Sequence, residues 1–150
     1  RQGTLPVAAT YGAWFHIPAL AETADNWNLL HFRGGAPDDW HGLWDVSLST
    51  GEDGGLQLYL YDFLNSSVRR AEASPSVPIG SWFHVEFRLL RAKDATGEVA
   101  LFLDGALLLE TTGIVTDDTD VGQWYVGNLA KALTPQDSTI YVDDVTIHTP

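Results

Sequence analysis

Apolar and polar residues alternate along most of the chain, and this period of two is the feature that most constrains its fold. Segment 56–62 reads Leu-Gln-Leu-Tyr-Leu-Tyr-Asp, and every odd-numbered residue of segment 82–89 is apolar. Successive side chains of a β-strand point to opposite faces, so this pattern predicts strands with one buried face. Helical periodicity is almost missing, and the one helix candidate is a single turn over residues 18–24.

Turn signals separate the alternating segments at intervals of about ten residues, which is typical of an antiparallel sandwich or barrel. Segment 51–55 (Gly-Glu-Asp-Gly-Gly) and Asp104-Gly105 predict hairpin turns, because Asp-Gly tolerates positive φ. The predicted strands are 11–18, 27–33, 43–49, 56–62, 67–73 (a short edge strand), 82–91, 98–103, 107–111, 123–128 and 139–148. The 150 residues suffice for one domain, 1–150, with a real core.

Composition narrows the classes of function. The chain has no Cys, which excludes disulfides, thiolate metal sites and a Cys nucleophile. Its net charge of -12 argues against nucleic acid and against anionic membranes, and no apolar stretch approaches the roughly 18 residues of a membrane span. The chain opens without Met, which suggests a piece of a longer precursor. We expect a secreted or cell-surface protein.

Four segments in order carry a resemblance to a known superfamily: 78–87 (Pro-Ile-Gly-Ser-Trp-Phe-His-Val-Glu-Phe), 97–105, 124–127 and 140–147. Together they resemble the concanavalin A-like lectin/glucanase superfamily, in particular its laminin G-like and heparin-lyase-like branches. Segments 11–18 and 27–33 are similar to the early strands of bacterial heparin-lyase-like domains. The resemblance implies an all-β, two-sheet antiparallel jelly-roll sandwich. It leaves activity open, because the superfamily contains lectins, binding modules, hydrolases and lyases.

The resemblance also implies a structural Ca²⁺ at a sheet edge, with an Asp of the last strand as a ligand. Asp143 and Asp144 match that position, and Asp118, from the acidic segment 116–120, completes the candidate set. A solvated turn is the alternative interpretation of that acidic segment.

Glycoside hydrolysis needs two carboxylates on either side of the scissile bond. No predicted strand offers such a pair on one face, and the adjacent Asp143 and Asp144 point to opposite faces. The pattern therefore argues against a glycosidase.

A polysaccharide lyase needs a group that neutralises a uronate carboxylate and a base that removes the C5 proton. His31 and Arg33 share one face of their predicted strand, as do Gln57, Tyr59 and Tyr61 on theirs. His16 shares a face with Trp14. If these strands are neighbours, their polar faces merge into one groove. A solvated polar face is the alternative interpretation of His31 and Arg33.

Six Trp and five Tyr make the chain rich in aromatic residues, and aromatic rings stack on the C–H faces of sugars. Trp40 and His41 lie in a polar segment, 37–42, that we expect to be an irregular loop, so both are candidate ligand contacts. The other five Trp lie on or beside predicted strands, where packing is the first interpretation.

The sequence thus favours a non-catalytic carbohydrate-binding domain, with a polysaccharide lyase or a structural subunit of an extracellular assembly as alternatives. In the binding hypothesis the ligand contacts are Trp40, His41, His31, Arg33, Gln57, Tyr59, Tyr61 and His16. In the lyase hypothesis the catalytic set is His31, Arg33, Tyr59 and Tyr61. Self-association through strand edges would serve the structural role. The identity of the glycan stays open.

Overall fold

The computed structural model describes residues 2–3, 5–36 and 38–150, which form strands joined by turns. The strands are β1 (Gln2–Gly3), β2 (Ala8–His16), β3 (Glu22–Thr23), β4 (Trp27–Ala36), β5 (Asp39–Thr50), β6 (Leu56–Asp62), β7 (Ser67–Arg69), β8 (Trp82–Leu90), β9 (Gly97–Leu103), β10 (Ala106–Ile114), β11 (Gly122–Ala130), β12 (Leu133–Thr134) and β13 (Tyr141–His148). Over these ranges no helix is long and apolar enough to cross a membrane.

Two antiparallel sheets form the body of the molecule. A six-stranded sheet has the order β1-β11-β4-β5-β6-β7, and a five-stranded sheet has the order β10-β9-β8-β2-β13. The all-β fold predicted from the alternation and the two-sheet sandwich implied by the resemblance are therefore confirmed. Segment 67–73 contains an edge strand, although β7 covers only its first three residues. The helical turn predicted for residues 18–24 is wrong, because Glu22–Thr23 pairs with β12 as a small separate sheet.

The core lies between the inner faces of the two sheets and is rich in aromatic rings. Phe32 of the six-stranded sheet packs edge-on against Tyr11 of the other sheet, with ring centroids 4.8 Å apart, and lies at a tilt to Phe87 at 5.0 Å. Trp44 and Trp124 add to the same layer, and Trp44 is fully buried. Rings this large bury much apolar surface, so they supply a major part of the driving force for folding.

Both predicted Asp-Gly turns form tight hairpins. Asp104 and Gly105 have φ values of 50° and 78° between β9 and β10, as a hairpin with two turn residues requires. Asp104 also accepts a hydrogen bond from the backbone N–H of His84 at 2.8 Å. Between β5 and β6, Gly54 has a φ of 78°, and the Asp53 carboxylate accepts from Gly55 N–H at 3.0 Å and from Ser76 Oγ at 2.9 Å.

A buried ion pair fixes the segment that crosses from one sheet to the other. Arg91, after β8, donates to the Asp117 carboxylate at 2.6 Å, and the two side chains are 9% and 2% exposed. The same guanidinium donates to the carbonyls of Leu5 at 2.7 Å and Thr119 at 3.2 Å. Arg91 thereby joins the chain before β2, the end of β8 and the β10–β11 crossover.

We predict that Asp117→Ala lowers the free energy of unfolding by about 3 kcal/mol, because it leaves the buried Arg91 charge without its partner. Asp25→Ala is the matched control, since Asp25 pairs with Lys131 at 3.0 Å on the exposed surface and such pairs contribute little. Urea unfolding of the two variants and the wild type measures both effects. Equal urea midpoints for Asp117→Ala and the wild type would contradict the role assigned to this pair.

Candidate functional site

The outer face of the six-stranded sheet carries a row of polar and aromatic side chains across four neighbouring strands; we call it the groove face. The register pairs Tyr125 of β11 with His31 of β4, His31 with Asp45 of β5, and Asp45 with Tyr61 of β6. Directly opposed residues of antiparallel strands point to the same side of a sheet. The four side chains therefore form one continuous line.

At the centre of this row, a carboxylate orients the histidine. The Asp45 side chain is only 7% exposed, and one of its oxygens is hydrogen-bonded to His31 Nδ1. The Asn28 amide donates to its other oxygen. Asn28 Oδ1 in turn accepts from Ser47 Oγ at 2.8 Å and from the Asn26 amide at 2.9 Å. With Nδ1 engaged by a carboxylate acceptor, Nε2 is the imidazole nitrogen left for a ligand.

Asn28 and His31 reach the same carboxylate because strand β4 contains a bulge. They are three residues apart, a spacing that puts side chains on opposite faces of a regular strand. The register with β5 shifts between Asn28 and Leu30, so Leu29 occupies the extra place. The bulge thereby turns both polar side chains toward Asp45.

Aromatic rings border the histidine on two sides. The His31 ring lies 6.0 Å from the ring of Tyr125 and 6.1 Å from that of Phe63. Phe63 contacts Tyr61 edge-on at 4.7 Å. Tyr125 is 45% exposed, so part of its ring remains open to a ligand.

A pocket of about 360 Å³ lies between β4 and β11 on this face. Asn28, His31, Arg33 and Tyr125 contribute to its wall. The register between the two strands shifts between Val126 and Leu129, and this irregularity separates them locally beside the pocket.

Two guanidinium groups lie along the groove face. Arg33, two residues beyond His31 on β4, lies on one side of the row and donates to the Trp40 carbonyl at 2.8 Å. Arg70, after β7, stacks over the Tyr59 ring with its Cζ 4.5 Å from the centroid, and donates to Ser49 Oγ at 2.7 Å. Although the protein carries a net charge of -12, this face thus offers positive charge at both sides of a histidine.

Burial raises the pKa of the Tyr59 hydroxyl above its usual range, and a hydrogen bond with Ser47 and the positive charge of Arg70 oppose that effect. Tyr59 is 7% exposed and belongs to the floor of the face more than to its surface.

The structure brings together most of the residues predicted from alternation. His31, Arg33, Tyr59 and Tyr61 all point to the groove face, and Gln57 does so at the far end of β6, opposite Ser49. His16 does not, because β2 belongs to the five-stranded sheet. The expectation that its polar face merges with that of His31 is therefore wrong.

Trp40 and His41 lie on strand β5 and not in an irregular loop, so that expectation is also wrong. The β4–β5 hairpin continues to Ala36 and Asp39, and Pro37 lies outside the described residues. The register puts Trp40 on the same side as Arg33 and His41 on the opposite side. His41 Nε2 is hydrogen-bonded to Asp118 at 2.8 Å.

The proposed calcium ligands do not meet. Asp143 pairs with Trp14 in the five-stranded sheet and its carboxylate accepts from the Asp144 N–H at 2.8 Å, whereas Asp118 binds His41 of the other sheet. Within the described part of the chain, no three His, Cys, Asp or Glu side chains form a group that could hold a metal ion. Calcium thus stays a prediction from the resemblance.

Residues of the site that were missed in the sequence include Asn28, Asp45, Tyr125 and Arg70. Asp45 lies between Trp44 and Val46, and Tyr125 lies between Trp124 and Val126. The same alternation that indicated His31 therefore marked both as outward-facing. The orientation of Asn28 could not be predicted, because it depends on the bulge at Leu29 and the sequence does not reveal that bulge.

The comparisons with known proteins identify the fold. Neither a protein-family model nor a curated protein sequence matches the chain. Among solved structures, it is similar to an endo-β-1,4-glucuronan lyase from the fungus Trichoderma reesei, with 19% identity over 95% of this chain and 68% of that one and a TM-score of 0.68. The alginate lyase Aly36B matches with 14% identity over 99% of this chain and 71% of the enzyme, at a TM-score of 0.63.

A lectin also shares the architecture. A tetrameric galectin from the ball sponge Cinachyrella sp. matches with 12% identity over 99% of each chain, at a TM-score of 0.57. The concanavalin A-like jelly-roll fold implied by the sequence motifs is therefore confirmed. At these identities the likeness establishes the fold, and function must be argued from the site.

We predict that Tyr59 ionises above about pH 10, the usual value for tyrosine, since its buried neutral form is favoured. The phenolate absorbance of Tyr59→Phe, subtracted from that of the wild type during a pH titration, isolates this one group. The stability that the raised pKa of Tyr59 contributes is fully present at pH values below the pKa of this group in the unfolded chain. It is lost as the pH rises through the pKa of the group in the folded protein. A difference midpoint at or below about 10 would contradict the burial argument.

Proposed function

We propose that the groove face binds a polysaccharide that carries uronate groups. One observation carries the proposal: the Tyr125–His31–Asp45–Tyr61 row lies across four strands beside an open pocket and is flanked by Arg33 and Arg70. Tyr rings can stack on sugar C–H faces, and fixed polar groups can bind hydroxyls. Guanidinium groups recognise carboxylates by paired hydrogen bonds.

The similar structures support the same ligand class. Two of them are a glucuronan lyase and an alginate lyase, and a third is a galectin. Polymers of this class lie outside cells, so we propose that the protein acts as a secreted or cell-surface domain.

Binding without chemistry is the function we put first. The second candidate function is β-elimination, which the His31–Asp45 pair favours because Asp45 engages Nδ1 and leaves Nε2 as the nitrogen able to act as the base. In that reaction a base removes the C5 proton of the uronate and Arg33 neutralises its carboxylate. A double bond then forms between C4 and C5 as the C4–O bond breaks, and a proton from Tyr125 or Tyr61 goes to the departing sugar oxygen.

We predict that Tyr125→Ala raises the Kd for a uronate oligosaccharide roughly tenfold, because it removes one stacking surface. Isothermal titration calorimetry with glucuronan and alginate oligosaccharides measures the change. Leu107→Ala is the control, since Leu107 is 52% exposed on the edge strand of the other sheet. A titration with calcium and another with EDTA test the cation expected at Asp143 or Asp144. Equal affinity of Tyr125→Ala and the wild type would overturn the assignment of the face.

A second experiment decides between binding and elimination. The same oligosaccharides are incubated with the wild type and with His31→Ala, and the ultraviolet absorbance of the unsaturated product is followed. We expect binding with no rise in absorbance. A rise with the wild type that His31→Ala abolishes at saturating oligosaccharide would establish elimination in place of non-catalytic binding.

A further inference from the structure

The outer face of the five-stranded sheet carries a second row of rings, on the opposite side of the molecule from the groove face. The register aligns Tyr141 of β13 with His16 of β2, and His16 with Trp82 of β8. The His16 ring lies 5.7 Å from that of Tyr141 and 5.4 Å from that of Trp82. Trp14, two residues before His16, stacks on His84 at 5.0 Å. We call these five rings the aromatic platform.

The two tryptophans of the platform are exposed, contrary to the packing interpretation. Trp14 is 38% exposed and Trp82 is 46% exposed, whereas Trp27, Trp44 and Trp124 are buried. Large rings are usually covered when a fold has room for them, so contiguous exposed rings mark a binding surface.

Fixed polar groups lie directly beside the rings. A Cβ built on Gly12 would approach Thr146 Oγ1 to 3.0 Å and His84 Nε2 to 3.1 Å, so glycine at this position lets the two polar atoms lie close together beside the rings. Glu86 Oε2 lies 3.7 Å from His84 Nδ1, so a carboxylate also borders this ring. Stacking rings next to a small set of oriented polar groups form the combination that binds sugars.

The charge of this face distinguishes its ligand from that of the groove face. The carboxylates of Glu86 and Asp143 project among the rings or next to them. Arg88, the cation further along β8, is already bound by Glu98 at 2.6 Å and by Glu110. A uronate would meet repulsion here, whereas carboxylates accept hydrogen bonds from the hydroxyls of an uncharged sugar.

We propose that the aromatic platform is a second glycan site and that its ligand is a neutral polysaccharide. The two sites lie on the outer faces of opposite sheets, so both can be occupied at once. The protein would then join an acidic polymer on the groove face to a neutral polymer on the platform.

The experiment titrates the protein with neutral oligosaccharides of β-glucan, xylan and mannan, and with a uronate oligosaccharide as the groove-face probe. Calorimetry gives Kd and tryptophan fluorescence reports on the rings. We expect binding of at least one neutral oligosaccharide, with Kd raised on the order of tenfold by Trp82→Ala and by Trp14→Ala. Trp82→Phe, which keeps a ring, should recover much of the affinity. Leu107→Ala is the surface control.

Three results would overturn the proposal. One is the absence of binding to all three neutral oligosaccharides. Another is neutral-sugar affinity that survives in both Trp82→Ala and Trp14→Ala. The third is concentration-dependent self-association in sedimentation velocity that Trp82→Ala abolishes, which would assign the face to a second copy of the chain. The uronate titration is independent of these results, so failure of the groove-face proposal is recognised separately.

Discussion

Strand β4 contributes to both the core and the candidate site, because its alternate side chains point to opposite faces of the sheet. Phe32 points inward, where it packs against Tyr11 and Phe87 from the opposite sheet. His31, one residue earlier, points outward to Asp45 and the pocket. A slip of one residue in the register with β5 would bury His31 and expose Phe32. The burial of aromatic rings therefore fixes the register, and the register fixes which side chains meet on the groove face.

The irregularities of the sheet matter as much as its regular part. The bulge at Leu29 lets Asn28 and His31 share the Asp45 carboxylate, and the shift between Val126 and Leu129 lies beside the pocket. Bulges are often found next to functional sites, since they redirect side chains that a regular strand would separate. Here the bulge at Leu29 brings Asn28 and His31 of β4 into hydrogen bonds with Asp45 of β5.

This division between regular and irregular structure explains what the sequence could predict. Alternation placed His31 and Arg33 on one face of their strand, and Tyr59 and Tyr61 on one face of theirs. In the structure both pairs point to the groove face. Which strands are neighbours depends on contacts between distant segments, so alternation could not tell that His16 belongs to the other sheet. The same holds for Asn28, whose orientation depends on the bulge.

The prediction of an irregular loop at residues 37–42 is wrong for a local reason. Gly34-Gly35 resembles a stop signal, yet both glycines lie inside β4. Gly35 has a φ of 127°, and a Cβ at that position would approach the Asp39 carbonyl oxygen to 2.1 Å, so glycine allows the close approach of the two strands there. The hairpin consequently extends beyond Arg33, and Trp40 lies on the groove side of a paired strand. Glycine at these positions therefore serves the pairing of β4 with β5 and does not end the strand.

The distribution of charge gives the two outer faces different chemistry within one acidic protein. Of its eight Lys and Arg residues, Arg33 and Arg70 lie on the groove face, while Arg91 is used internally to hold Asp117. On the other sheet, Arg88 is occupied by two glutamates, so Glu86 and Asp143 dominate around the exposed rings. Net charge alone would have argued against an anionic ligand everywhere on the surface. At distances within a Debye length of about 8 Å, however, nearby charges govern recognition more than the total does. One face can therefore attract a uronate while the opposite face repels it.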